Sequence, residues 1–284
     1  MSQHYRDVFI TFSPNGTAST ITATLGDQSD IGKFRKMIFK QITIPMTFYA
    51  ISNINSQFAF IEKGADNSTN TQIKTIPDGN YTASTFAAAV QTQINSNAGF
   101  SHYNAQYFIE IDNATNRLVI TTSVTGDSAG FQIAFYSGVG GTTNTPSKRI
   151  QAEKIWGVPA TKLTSPVPTQ PQIGNGTYLT SYRSTNPSQI WGPDQLLVVS
   201  PTLQNIFSRK NTDLGMNIQN IIMRVPVTVP LFSQQTFSDS NNEVAVQNNQ
   251  SFPQKIVIDV TDETGNSLNF NGCVVYMHIT VGNL

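Results

Sequence analysis

Short runs in which apolar and polar residues alternate, broken by Gly, Pro, Asn and Asp, fill most of the chain, and that period of two predicts β-strands. Arg6–Ser13 puts Val8, Ile10 and Phe12 on one face. Ser19–Leu25 does the same with Ile21, Ala23 and Leu25. Lys36–Ile44 is a strong strand, in which Ile38 and Phe39 lead into Ile42 and Ile44. Pro45 ends it, because proline cannot donate to a ladder. Met46–Ile54 and Gln57–Glu62 read as the next strands. Further along, Tyr107–Asp112 and Arg117–Ser123 flank the turn Asn113-Ala114-Thr115-Asn116, and Gly130–Tyr136 follows. The last third gives Gln195–Ser200, Asn217–Val229, Lys255–Val260 and Cys273–Val281. Val225-Pro226-Val227 marks an edge or a bulge. Asn271-Gly272 predicts a type I′ hairpin joining Leu268–Phe270 to Cys273–Val281.

One segment changes period. After the turn Ile76-Pro77-Asp78-Gly79-Asn80-Tyr81, the residues Phe86, Ala89, Val90 and Ile94 fall on one helical face. Thr82 or Ser84 can cap its start, and Asn97 and Gly99 supply stops. From about Gln72 to Tyr136 the order is therefore strand, helix, hairpin, strand: a small α+β unit inside a β chain. Phe86, Ala89, Val90 and Ile94 are expected to pack on a sheet carrying Phe108, Leu118 and Ile120. The middle of the chain is irregular. Gly138–Ser147 is rich in Gly and Thr, Ile150–Val158 holds Trp156 in a short helical turn, and Thr161–Gly176 carries Pro166, Pro168 and Pro171.

Composition shapes the surface. The 284 residues hold 17 Lys+Arg against 17 Asp+Glu, a net charge of zero, and only 12% are charged, where about 25% is usual. Ser, Thr, Asn and Gln take the place of the missing charge. Zero net charge argues against a nucleic-acid footprint, which needs clustered basic surface. With 38% hydrophobic residues a core can form, and a polar but uncharged surface associates readily. That is the surface of a protein that lives in an assembly. Cys273, the single cysteine, excludes an internal disulfide and a cysteine zinc site. The start is too polar for a signal peptide, and no apolar run is long enough for a membrane helix, so the chain is expected to fold in a reducing compartment. The sequons at Asn15, Asn67, Asn80, Asn113, Asn175 and Asn249 are then bare.

The catalytic inventory is poor. His4, His102 and His278 are the only histidines, and no two share a ligand spacing. His278 lies in the last strand with Val274 and Tyr276 on its face, without a partner visible in sequence. There is no G-x-S-x-G elbow. Cys273 has no basic neighbour and reads as a packing residue. Gly138-Val139-Gly140-Gly141 lacks the spacing of a phosphate cradle. Asp259, Asp262 and Glu263 lack the alternating ligands of a calcium loop and read as a solvated turn. Phe58, Phe60, Tyr103, Tyr107, Tyr178, Tyr182 and Trp191 could form a sugar platform, but packing explains them better. No catalytic, cofactor-binding or metal-ligating residue is assigned, no cofactor is expected, and the chain reads as a non-enzyme.

Several stretches together carry a resemblance. They are Lys40-Gln41-Ile42-Thr43-Ile44-Pro45-Met46-Thr47-Phe48-Tyr49-Ala50-Ile51, Ile76-Pro77-Asp78-Gly79-Asn80-Tyr81-Thr82 with its helix, Asn116-Arg117-Leu118-Val119-Ile120-Thr121, Ala152-Glu153-Lys154-Ile155-Trp156-Gly157-Val158, and Ile256–Val260 with the run Thr261 to Gly272. In that order they resemble the penton-type minor capsid proteins of virophages, polinton-like viruses and nucleocytoplasmic large DNA viruses. The resemblance covers most of the chain by order of motifs. It implies a mainly β protein: a single jelly roll, an antiparallel β-sandwich, with an inserted small α+β subdomain. It also implies a homopentamer at the vertex of an icosahedral virion, meeting the double jelly-roll major capsid protein, with no enzyme activity. Residues 1–60 plus 190–284 are then the jelly roll, because neither end has strands enough for two sheets. Residues 61–158 are the insertion, and 159–189 an irregular Pro/Gly/Thr-rich connection. Localisation follows as the virion capsid, made in the host cytoplasm or nucleus, with no specific nucleic-acid binding and no transmembrane segment. Another minor capsid or receptor-binding spike protein and a carbohydrate-binding jelly-roll module are the alternatives. The arm Met1–Tyr5 and the loop Thr161–Gly176 are too poor in apolar residues to order themselves, and are expected to order on neighbouring subunits.

Overall fold

The computed structural model describes residues 5–12, 20–24, 36–96, 101–123, 128–135, 146–158, 173–174, 177–203, 210–211, 218–238, 244–247 and 255–282. His4, Gly138–Gly141, nearly all of Thr161–Gly176 and the sequons at Asn15, Asn175 and Asn249 lie outside these residues. The protein is mainly β, with antiparallel sheets, and the chain divides into two compact units, Met1–Phe48 with Pro193–Leu284 and, between them, Tyr49–Gly192.

The outer unit is built from β1 (Tyr5–Phe12), β2 (Thr20–Thr24), β3 (Lys36–Pro45), β10 (Gln195–Val199), β13 (Ile221–Pro226), β14 (Gln234–Ser238), β15 (Val244–Gln247), β16 (Lys255–Asp262) and β17 (Val275–Gly282). One sheet runs β1-β17-β3-β14, with β15 taking up the rest of the β3 edge; the other runs β13-β10-β16-β2. With β14 and β15 counted as one position, there are eight. The first pairs with the last, the second with the seventh, the third with the sixth and the fourth with the fifth. That is the topology of a jelly roll, a long hairpin rolled on itself. Between β10 and β13, β11 (Lys210–Asn211) and β12 (Ile218–Gln219) form a two-stranded ribbon.

A bulge lets β3 serve this core. Gln41 pairs with His278 and Phe39 with Ile279, so Lys40 has no opposite residue on β17. Before Lys40 the most deeply buried residues, Met37 and Phe39, are odd-numbered, with Ile38 between them also buried, and after it Ile42 and Ile44 are even-numbered. Without the extra residue one of these pairs would face solvent, since a one-residue slip turns every later side chain over.

The inserted unit has two three-stranded sheets. They are β5 (Thr69–Thr75), β4 (Gln57–Gly64) and β8 (Ser128–Ala134), and β6 (Tyr107–Asp112), β7 (Arg117–Thr122) and β9 (Ser181–Arg183). Helix α1 (Ala83–Ile94) packs on β6, and α2 (Pro146–Ile155) brings Trp156 into the core. Trp156 is fully buried and contacts Phe58, Phe135 and Phe86 at 4.8, 5.4 and 6.4 Å between ring centres. Gly157 ends α2 in the left-handed region, at φ 64. Its N–H donates to Lys154 O and that of Val158 to Glu153 O, the paired bonds of a glycine-terminated helix. A Cβ at 157 would lie 2.2 Å from Asn186 O, so only glycine fits.

Several expectations are corrected. Residues 49–60 belong to the inserted unit, and that unit runs on to Gly192, including β9. Met46–Ile54 is not a strand: Met46 N–H donates to Ser233 O and Met46 O accepts from Phe232 N–H, and Ile51 bridges to Gly79. Thr82 caps α1 through a reciprocal bond with Thr85, but Asn95 ends the helix, before Asn97 and Gly99. Its amide holds both the N–H and the carbonyl of Tyr107. On α1, Ala87 is buried with Phe86, Val90 and Ile94, while Ala89 is partly buried. Phe108 faces outward at 47% exposure. Tyr107, Ile109 and Ile111 face the core with Ile120 and Leu118, because directly paired residues share a face. Asn271 and Gly272 do form the tight turn, with φ of 52 and 79. However, Leu268–Phe270 does not pair with the last strand, which is taken by β1 and β3.

Phe86 is fully buried between Trp156 and Tyr81. Phe86→Ala is expected to cost about 3–5 kcal/mol. Chemical denaturation should show the inserted unit melting early while the jelly roll keeps its transition.

Candidate functional site

The outer face of the β1-β17-β3-β14 sheet is laid out by register. Phe9, His278, Gln41 and Ser238 stand in one row across the four strands; Thr11, Tyr276, Thr43 and Thr236 stand in the next. The rows are almost uncharged. Thr43 and Thr236 share a hydroxyl–hydroxyl bond of 3.1 Å. Phe9 is 77% exposed and Tyr276 is 49% exposed. On the opposite face Val275, Met277 and Ile279 are buried, as the alternation of the last strand required.

The sequence showed no partner for His278, and the fold supplies two. Its ring stacks on Phe9 at 4.5 Å, and its Nε2 lies 3.1 Å from Asp7 Oδ1. Thr280 donates its hydroxyl to the same carboxylate oxygen at 2.5 Å. The Thr280 hydroxyl, and after it His278, hold the Asp7 carboxyl below the usual aspartate range. Nothing in the sequence announces this cluster, because it exists only once β1 lies in this register on β17. It ties an edge strand down; it has no nucleophile and no developing charge to stabilise.

At the other end of the same sheet stands Phe232, just before β14. Its φ is 65 and its side chain is exposed. The left-handed conformation costs an L-residue about 1–2 kcal/mol. It is held by Phe232 N–H donating to Met46 O and Met46 N–H donating to Ser233 O, both at 2.8 Å.

The remaining candidates resolve into structure. His102 is exposed beside Tyr103. Cys273 is a free, half-buried thiol. Phe58, Phe60 and Tyr107 are in the core of the inserted unit, Tyr182 packs against it and Trp191 is exposed, so these aromatics do not make one platform. The turn after β16 is not solvated. Asp262 is buried and accepts from the N–H and hydroxyl of Thr264 at 2.8 and 2.7 Å, and from the N–H and side-chain amide of Asn266 at 2.9 and 3.0 Å. Burial pushes its carboxyl up, against the pull of those bonds. Asp259 accepts from Ser267 Oγ. Among the described residues no three His, Cys, Asp or Glu side chains gather as metal ligands, and no helix is long and apolar enough to cross a membrane.

One polar cluster was not foreseen. Glu62 on β4 is 1% exposed, and its Oε1 accepts from Ser101 Oγ at 2.5 Å and Tyr107 Oη at 2.9 Å. Lys74 on β5, also buried, donates to Ser96 Oγ at 2.7 Å. Burial pulls its ammonium below the usual lysine range, and the Glu62 charge works against that pull. The alternation of β4 places Glu62 among Phe58 and Phe60 with no sign of what would satisfy it. Its partners come from the segment after α1, and they make it a fastening for that segment.

Comparison with known proteins gives little at the level of sequence. No protein-family model matches the chain, and no curated protein matches it. Among solved structures, the fold is similar to the mavirus penton protein, at 8% identity and a TM-score of 0.46, over 99% of this chain and 100% of that one.

Two outcomes follow from the clusters. Glu62→Ala strands two buried hydroxyl donors, and should cost roughly 1–3 kcal/mol for each, read as a loss of stability in urea. The Asp7 carboxyl is depressed in the folded state, so its contribution is present above the unfolded value of 3.8 and is lost as pH falls through the folded value. Hydrogen exchange of the β1 amides should therefore accelerate as pH falls below 3.8, and Asp7→Asn should remove that acid step.

Proposed function

We propose that the chain is a structural virion protein, the vertex or penton protein of an icosahedral capsid. Copies pack side by side as a homopentamer through head-to-tail contacts that close a ring, and the rim meets the major capsid protein. Its work is assembly, not catalysis, and its place is the virion. The observation that carries this reading is the jelly roll itself: eight strand positions, with an insertion between the third and the fourth, and an outer sheet face that is nearly uncharged and displays Phe9 and Tyr276. A jelly roll hosts many functions, so the surface has to choose among them. Depleted charge with exposed aromatics is the make-up of a contact surface. Among the described residues, the candidates His102, His278, Cys273, Asp259 and Asp262 lie in packing contacts or local hydrogen bonds, and the motif order of the sequence resembles penton-type proteins.

Oligomeric mass tests this. Light scattering of the purified chain should give a pentamer, and association should depend only modestly on salt, because few charges are involved. A trimer would favour a spike. A monomer that binds sugars would favour a lectin, and steep weakening with salt would contradict an uncharged interface.

A further inference from the structure

Asn271 and Gly272 form the one Asn-Gly dipeptide among the described residues, and both are exposed. Five described asparagines occupy the left-handed region: Asn67, Asn104, Asn116, Asn220 and Asn271. The residues that follow the first four are Ser68, Ala105, Arg117 and Ile221. Each carries a side chain that hinders its own backbone nitrogen from approaching the asparagine carboxamide. Gly272 carries none. Its φ is 79, and a Cβ there would meet nothing within 4 Å, so the peptide after Asn271 has room to turn. In that setting an asparagine carboxamide is open to attack by the next backbone nitrogen.

Several contacts oppose that attack. Asn271 Nδ2 donates to Thr47 O at 2.5 Å, and Asn271 N–H donates to Asn269 Oδ1 at 2.9 Å. Thr47 Oγ1 donates to Phe270 O at 2.6 Å, and the Phe48 and Phe270 rings meet edge to face at 6.0 Å between centres. Together they pin the turn to the residues just before the chain leaves the jelly roll after Phe48. We propose that Asn271 is a site of spontaneous deamidation, and that this clamp on Thr47 sets its rate. In the step the Gly272 nitrogen gives up its proton and bonds to Asn271 Cγ, the Cγ–Nδ2 bond breaks, and Nδ2 leaves with a proton as ammonia. Water then opens the succinimide ring to aspartate or isoaspartate, and nothing is oxidised or reduced. The product sets a carboxylate against Thr47 O, acceptor against acceptor. The clamp does not re-form, so the turn is released in one direction only. This inference stands apart from the assembly reading.

The test incubates the full chain at mildly alkaline pH and maps its peptides by mass spectrometry, which separates Asn271 from the Asn-Gly pairs at Asn15 and Asn175. Conversion at Asn271, with isoaspartate among the products, should outrun that at Asn67, Asn104, Asn116 and Asn220. It should be slower in the native chain than in the same chain unfolded in urea. Thr47→Val removes the bond to Phe270 O and should speed native conversion roughly two- to tenfold, the weight of one hydrogen bond, without changing the rate in urea. Asn269→Ala, which frees the Asn271 N–H, should act the same way and serves if Thr47→Val does not fold. Asn271→Asp, the product made directly, should lower the thermal midpoint of the jelly roll. Asn271 left intact in the native chain while the unfolded chain converts, or converting no faster than the other four asparagines, overturns the site. Equal native and unfolded rates, or variants that convert no faster than the unaltered chain, overturn the clamp. An Asn271→Asp midpoint equal to that of the unaltered chain overturns the release of the turn.

Discussion

Strand β17 lies between β1 and β3, so the sheet that displays the outer face exists only when the end of the chain has returned between its beginning and its third strand. The side-chain bond from Thr280 to Asp7 spans 273 residues. Each jelly-roll pair is nested inside the previous one, and loop closure must be met before such contacts repay it. The bulge at Lys40 belongs to the same constraint. β3 is paired on both sides and cannot twist away to correct its facing, so one extra residue keeps Met37, Phe39, Ile42 and Ile44 all in the core.

The inserted unit answers to a different requirement. It is entered after Phe48 and left before Pro193, and it carries its own core. Trp156 is the centre of that core, and Gly157 lets the chain turn away immediately after it. Around the apolar centre, side chains fasten the free edge of β6 and the segment before it: Glu62 takes Ser101 and Tyr107, Asn95 takes both backbone groups of Tyr107, and Gln91 accepts from Ile109 N–H. Buried polar groups of this kind tolerate little change, since each leaves a costly orphan when its partner is removed.

Low charge has consequences in both units. A chain with few Lys and Glu side chains has little electrostatic repulsion to keep copies apart and little to lose on desolvation. Its outer sheet face is made of threonine, glutamine and serine rows with a few exposed rings. On the proposed reading, such a face would bind neighbouring copies through shape and many short polar contacts.

The alternating runs by themselves determined most strands, the helix over Phe86 to Ile94, the Asn271–Gly272 turn and the core-facing set Val275, Met277 and Ile279, because each depends on residues within a few positions of one another. Strands β14 and β15 are not legible in the sequence: Gln234, Gln235 and Thr236 have no apolar period and Val244–Gln247 is very short, and both pair because the β3 edge is there to receive them. Met46–Ile54 had the pattern of a strand but found no neighbour to ladder with. Phe108 is apolar yet faces outward, because the register of β6 on β7 gives the core face to Tyr107, Ile109 and Ile111. The partners of His278 and Glu62, and the left-handed backbone under Phe232, belong wholly to the tertiary structure. They depend on which distant segments meet and in what register, and a period read along one strand contains neither.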